Sequence, residues 1–254
     1  MYLTEIVNKP CDSTEIPSAS LNSIWQDILA QAVTGELMAA LNYTALAAIC
    51  DDPEEVKEAL EHASGEEGHA AAFAAEGRKL GIDVQSNVEA KYWKRIRNAY
   101  MICAARRDII GCLIIQELML ESFAVASYER VGRVGPGTLG KTFTAIAKEE
   151  EEHIGHALSI LEKERLIDTP AFDAKVYELH NQVMTTLAEM LVSQDKNCQC
   201  QVCHGGVCVK TVLSQVSLST AELRGASLNR YLRTLDLLGL PGDMTLQWVS
   251  QLPV

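Results

Sequence analysis

Ser64-Gly65-Glu66-Glu67-Gly68-His69 and Lys148-Glu149-Glu150-Glu151-Glu152-His153 decide how this chain is read, because each places a Glu-x-x-His in long helix-forming sequence. Residues three apart share one face of a helix, so Glu66 with His69, or Glu150 with His153, can direct two ligand atoms at one ion. Either motif alone also arises by chance in an acidic helix, where charge runs face water. The surrounding pattern separates the two readings. Phe143, Ile146, Ala147, Ile154, Ala157, Ile160 and Leu161 form an apolar stripe that contains Glu150 and His153 and leaves Glu149, Glu151 and Glu152 mostly outside. Leu60, Ala63, Ala70, Phe73 and Leu80 mark a second face, which admits Glu66 and His69. A carboxylate pointing into an apolar interior is costly unless a cation or partner compensates it.

The same test applied outward finds further inward acids. Ile28, Leu29, Val33, Ala40, Tyr43 and Ala47 form a face that includes Glu36. Ile110, Ile114, Leu120, Ala124 and Tyr128 form another that includes both Glu117 and Glu121, and periodicity does not choose between them. Four long helices thus offer Glu, Glu-x-x-His, Glu and Glu-x-x-His in chain order, the ligand set of ferritin-like di-iron carboxylate bundles.

The rest of the chain agrees with an all-α, ferritin-like helical bundle with its metal site among four long helices. Proline is absent from 54–135, alternating β-branched runs are missing, and Ala, Leu, Glu, Lys and Ile dominate. Helices are expected over about 20–50, 53–80, 86–105, 108–131, 141–166, 169–193 and 221–238, with a short last one after the 239–243 turn. Asp52-Pro53 opens the second, Gly81 stops it, and 132–140 with Pro136 is a break. Short links and no strands suit one ferritin-like domain over 1–254, with a cysteine-rich insertion at 195–210.

Composition narrows the partners. The chain has 254 residues, 22 basic and 34 acidic, a net charge of −12. That balance disfavours nucleic acid and anionic lipid surfaces. No run reaches the roughly 18–20 uninterrupted apolar residues of a membrane span, and residues 1–17 show no signal-peptide layout. A cytoplasmic protein is expected.

Gly35-Glu36 with Asn42-Tyr43, Phe73-Ala-Ala-Glu-Gly-Arg-Lys-Leu-Gly81, and above all Cys112-Leu-Ile-Ile-Gln-Glu-Leu-Met-Leu-Glu-Ser-Phe-Ala-Val-Ala-Ser-Tyr128 resemble the cyanobacterial aldehyde-deformylating oxygenases. The resemblance spans about 25–164 and resumes weakly from about 221. It implies a non-haem centre of two Fe (Fe2+/Fe3+) and an oxygenase that uses dioxygen and external electrons, from a ferredoxin-like donor, to convert an aldehyde to a hydrocarbon plus formate. The family's ligands fall on Glu36, Glu66, His69, Glu121, Glu150 and His153, which resolves the tie in favour of Glu121. Tyr43 and Tyr128 match tyrosines near the family's site, with a catalytic role or hydrogen-bonded packing as their two readings.

Three departures bear on function. Glu76 stands where the family has a cysteine, and Glu117 where it has a small residue, adding a candidate seventh carboxylate. Both acids favour a competing reading, a di-iron oxygenase that hydroxylates, desaturates or N-oxygenates a more polar molecule; an iron-binding or peroxide-scavenging protein is a third. Cys198, Cys200, Cys203 and Cys208, with His204, have no counterpart in the family. They could hold a structural Zn, serve thiol redox chemistry, or be reduced surface thiols. His62, His156 and His180 are expected to be surface or packing residues. An acidic donor would need a local basic patch such as Lys91, Lys94, Arg95 and Arg97.

Overall fold

The computed structural model describes residues 18–197 and 216–253. Cys198, Cys200, Cys203 and Cys208, the proposed zinc ligands, lie outside the described residues. Helices α1 (Ser18–Ala47), α2 (Pro53–Lys79) and α6 (Thr138–Ile167) carry Glu36 and the two Glu-x-x-His motifs, while α5 (Ser122–Val134) carries Tyr128 and follows directly on Glu121. Helix α3 (Lys91–Ala105), α4 (Ile109–Leu113), α7 (Thr169–Asn197), α8 (Thr220–Leu237) and α9 (Gly242–Ser250) pack around them. No strand occurs among the described residues.

The helix boundaries follow local chemistry. The Asp52 side chain accepts the Glu54 amide at 2.9 Å and Pro53 takes the first turn of α2. Gly81, just past its end, has φ 73°, a backbone region that glycine enters without steric cost. Asp108 accepts the Gly111 amide ahead of α4, and Ser219 accepts the Glu222 amide ahead of α8. Asp168 accepts from the amide of Ala171, so the cap of α7 lies one residue before Thr169. The third helix starts at Lys91, five residues later than expected.

The larger difference lies between α4 and α5. Ile114–Glu121 is a π-helical segment joining them into one continuous rod. Its wider turn brings residues five apart into register, and Gln116 Nε2 donates to Glu121 Oε1 at 2.5 Å. Leu118 and Met119 are consequently buried, as are Glu117 and Glu121. By length and composition Ile109–Val134 could cross a membrane, but most of it is buried inside the bundle.

Packing pairs α1 with α2, and α5 with both α6 and α8. The α5–α6 turn depends on close backbone approach: a Cβ at Gly140 would lie 2.6 Å from the carbonyl oxygen of Gly132 and 2.8 Å from that of Gly135. The core falls into two apolar clusters. One holds Leu29, Val33, Ala70, Phe73, Val125, Phe143 and Ile146. The other holds Met38, Tyr43, Ala59, Ala63, Leu118 and Met119, and extends to α3, α7, α8 and α9. On α1 the divide falls at Glu36, on α2 at Glu66–His69, and on the α4–α5 rod at Glu121; on α6 the first cluster continues past Glu150 to Ile154 and the second takes Leu161. A polar layer therefore crosses the bundle at one level. Leu60 (49 % exposed) and Ile160 (36 %) lie outside the core, against the expected stripes.

Candidate metal centre

Glu36, Glu66, His69 and Glu150 supply the polar layer, and one ligand atom from each lies within 4.8 Å of the others. His69 Nδ1 is 2.8 Å from Glu150 Oε1, 3.3 Å from Glu66 Oε2 and 3.4 Å from Glu36 Oε2. His153 Nδ1 lies 2.9 Å from Glu150 Oε2 and 4.0 Å from Glu66 Oε1. Glu150 thus approaches both imidazoles. Glu121 is buried beside them with Gln116 on Oε1. The two Glu-x-x-His pairs do share their helix faces, as the spacing requires.

Electrostatics expresses the same crowding. Burial pushes the Glu66 and Glu121 carboxyls well up, and Glu150 adds to both by repulsion. Burial would also raise Glu150, but His153 and His69 pull it down. Burial alone favours a neutral His69, yet the carboxylates of Glu150, Glu36 and Glu66 crowded against it push its affinity for a proton far above the usual range. A metal ion replaces that proton when an imidazole becomes a ligand. Among the described residues, Glu66 Oε1, both oxygens of Glu150 and His153 Nδ1 are buried without a hydrogen bond of sound geometry. Orphaned carboxylate oxygens and an imidazole nitrogen converging at one level fit divalent cations, and nitrogen with oxygen donors suits iron. Outside the layer, Glu149 Oε2 meets His69 Nε2 at 3.0 Å and orients that ring from behind. Glu149 lies outside the apolar stripe of its helix and is largely exposed, as the sequence pattern expects, but its reach across to α2 leaves no trace in periodicity.

The tyrosines are tied to carboxylates. Tyr128 Oη donates a short hydrogen bond to Glu36 Oε1. Tyr43 Oη donates to Glu117 Oε1 at 2.5 Å. Both hydroxyls are pushed well above their ordinary range, chiefly by burial and then by neighbouring carboxylates. Without its hydroxyl, position 128 leaves Glu36 short of a partner. Tyr128→Phe is therefore expected to weaken metal binding about 10- to 100-fold, the scale for outer partners of a ligand, measurable by competition with a chelator.

Glu117 is buried, and its Oε2 has no partner among the described residues. Burial raises its carboxyl to about 7, against the downward pull of Tyr43 and His153. A folded-state value above the unfolded one means the group opposes folding increasingly as pH rises from the ordinary carboxylate range to about 7. Glu117→Gln should accordingly stabilise the metal-free protein at pH 8 and change it little at pH 4, read by denaturant unfolding at both.

Glu76 sits elsewhere. Its carboxylate takes Lys79 Nζ at 2.6 Å and Thr138 Oγ1 at 2.6 Å, binding the end of α2 to the start of α6. Those partners hold it below the ordinary range although burial pushes the other way. One of the two acids that favoured a polar substrate is thereby a structural ion pair. His180 is a packing residue, hydrogen-bonded to Tyr231 and stacked on it. His62 is not merely surface: it stacks on Tyr43 and sets its edge against His153, with ring centroids 5.1 and 4.3 Å apart. It also lines a cleft of about 370 Å³ with Glu58, Glu61, Glu149, His69 and His153.

The basic patch is largely neutralised. Lys94 and Arg97 both pair with Glu89, and Arg95 with Glu189.

Comparison with known proteins adds a family. A sequence model described as long-chain fatty aldehyde decarbonylase matches residues 18–202. Among solved structures, a protein with aldehyde deformylating oxidase activity from Synechococcus superposes with a TM-score of 0.77 at 19% identity, covering 93% of this chain and 100% of that one. At that identity the superposition speaks for the fold, a ferritin-like helical bundle.

Proposed function

Because this chain belongs to the long-chain fatty aldehyde decarbonylase family, enzymes that turn an aldehyde into a hydrocarbon, we propose that it does so at a di-iron centre held by Glu36, Glu66, His69, Glu121, Glu150 and His153. The observation that carries this reading is the convergence of Glu36, Glu66, His69 and Glu150 within 4.8 Å in the interior. Two iron ions held there would supply dioxygen activation and, with external electrons from a ferredoxin-like donor, the oxidising chemistry that releases the carbonyl carbon as formate.

The residues of the chain supply the rest. Six ligands on four long helices fix the geometry, since helical positions are held more precisely than loops. Tyr128 and Glu149 orient Glu36 and His69 by hydrogen bonds to their free atoms. The apolar cluster around Leu29, Phe73, Val125 and Phe143, adjoining the polar layer, offers an environment for an alkyl chain that excludes water. The small apolar runs Ala70-Ala71-Ala72 and Ala124-Val125-Ala126 leave little evident space of their own: Ala70, Val125 and Ala126 are buried in helix packing and Ala71 is exposed. Three described cysteines, Cys50, Cys103 and Cys112, are free thiols, which supports a reducing, cytoplasmic setting. A structural zinc at Cys198, Cys200, Cys203 and Cys208 remains a proposal that rests on ligand count alone.

The test is direct. Iron-loaded protein given dioxygen, a reductant and a panel of aldehydes should yield formate and a hydrocarbon in equal amounts by mass spectrometry. Hydroxylated or desaturated products from polar substrates would instead support the second oxygenase reading, which the buried Glu117 favours. Iron oxidation or peroxide turnover alone would refute both.

A further inference from the structure

Glu58 and His62 lie four apart on α2, and His156 faces them from α6. Glu58 Oε1 is 3.1 Å from His156 Nε2 and 3.9 Å from His62 Nε2. Glu58 and His156 are about half exposed, whereas His62 is mostly covered. From that rim the path inward is short: His62 sets its edge against His153, which reaches Glu150 at 2.9 Å. The cleft wall is carboxylate and imidazole throughout, with Gly65 adding no side chain. Glu61 is partly compensated by Lys57 at 3.6 Å. No lysine or arginine lines the cleft among the described residues. Two of its walls, His69 and His153, are the same imidazoles that face Glu66 and Glu150. Behind them lie carboxylate oxygens of residues with no exposure, Glu66 Oε1 and Glu150 Oε1 and Oε2, which face these same imidazoles without a well-formed hydrogen bond.

The donor side chains of such a wall suit a divalent cation. Imidazole and carboxylate together bind Fe2+ or Co2+, and converging negative charge in a cleft raises the local concentration of cations. Resting on the di-metal reading above, we infer that Glu58, His62 and His156 form an entry site, which captures a divalent cation at the surface and hands it by ligand exchange through His62 to His153 and Glu150. None of the three belongs to the ligand set of the centre.

Anaerobic Co2+ uptake by the metal-free full chain, followed through the visible absorbance of bound Co2+, tests this without turnover. The double variant Glu58→Gln/His156→Ala, altered only at half-exposed positions, should load roughly tenfold more slowly, the lower end of electrostatic effects on association. Its final Co2+ content should equal that of the unaltered chain. The unaltered rate should also fall with added salt, and the variant's should fall less. Uptake by the variant at the unaltered rate would overturn the inference, as would a slow rate with a proportionate loss of final content. Failure of the centre itself has a different signature: the unaltered chain would take up no Co2+.

Discussion

Glu150→Ala is expected to abolish aldehyde turnover and to lower metal affinity by at least about a hundredfold. That is the upper scale for loss of an outer partner, and Glu150 is placed to act as a ligand itself. It is fully buried, and it is the carboxylate nearest to both imidazoles, at 2.8 Å from His69 and 2.9 Å from His153. Alanine there removes the one carboxylate within 3 Å of both imidazoles and leaves Glu66, at 3.3 and 4.0 Å, as the next nearest to the pair. Glu121→Ala should behave alike, while Glu117→Gln should keep the metal content, because Glu117 is engaged by Tyr43. Metal analysis after gel filtration, with circular dichroism to verify that the helices persist, distinguishes these variants. Retention of full metal content by Glu150→Ala would show that the ligands are assigned wrongly.

Phe73→Ala should cost the fold about 3–5 kcal/mol, the range for removing a buried aromatic ring. Phe73 has no exposure and packs between Phe143 and Tyr128, at ring-centroid distances of 4.4 and 5.2 Å. The cavity would loosen Tyr128, whose hydroxyl donates to Glu36, so metal affinity should fall with stability. Leu60→Ala and Ile160→Ala are the contrast: both side chains are well exposed, and each change should stay within about 0.5 kcal/mol. Denaturant unfolding of the three variants measures the difference. Equal costs would mean that the sequence stripes, not the observed packing, describe the core.

What the sequence showed and what it hid can be stated residue by residue. Inward acids on four helices were visible because a 3.6-residue period places Glu36, Glu66 and Glu150 among apolar neighbours. Glu117 and Glu121 could not be separated by that period, since residues four apart share one helix face. The π-helical segment Ile114–Glu121 turns both inward, and only the family resemblance chose Glu121. The run 109–121 carried a trace of this, being apolar on more faces than one α-helical stripe needs. Contacts between distant helices were beyond periodicity altogether. Glu149 crosses to His69, His62 packs on His153, and Glu76 is captured by Lys79 and Thr138, although each is polar and lies beside a motif. Partner charges likewise undid the patch at 91–97, where Glu89 and Glu189 are supplied from outside the run.

The central claim is that the buried carboxylates and imidazoles at the mid-level of the bundle are one di-metal centre. Anaerobic titration of the metal-free chain with Fe2+, followed by gel filtration and metal analysis, tests it most directly. The account predicts about two irons retained per chain, the loading of a ferritin-like carboxylate bundle, with none in Glu150→Ala. A chain that retains no iron would contradict it.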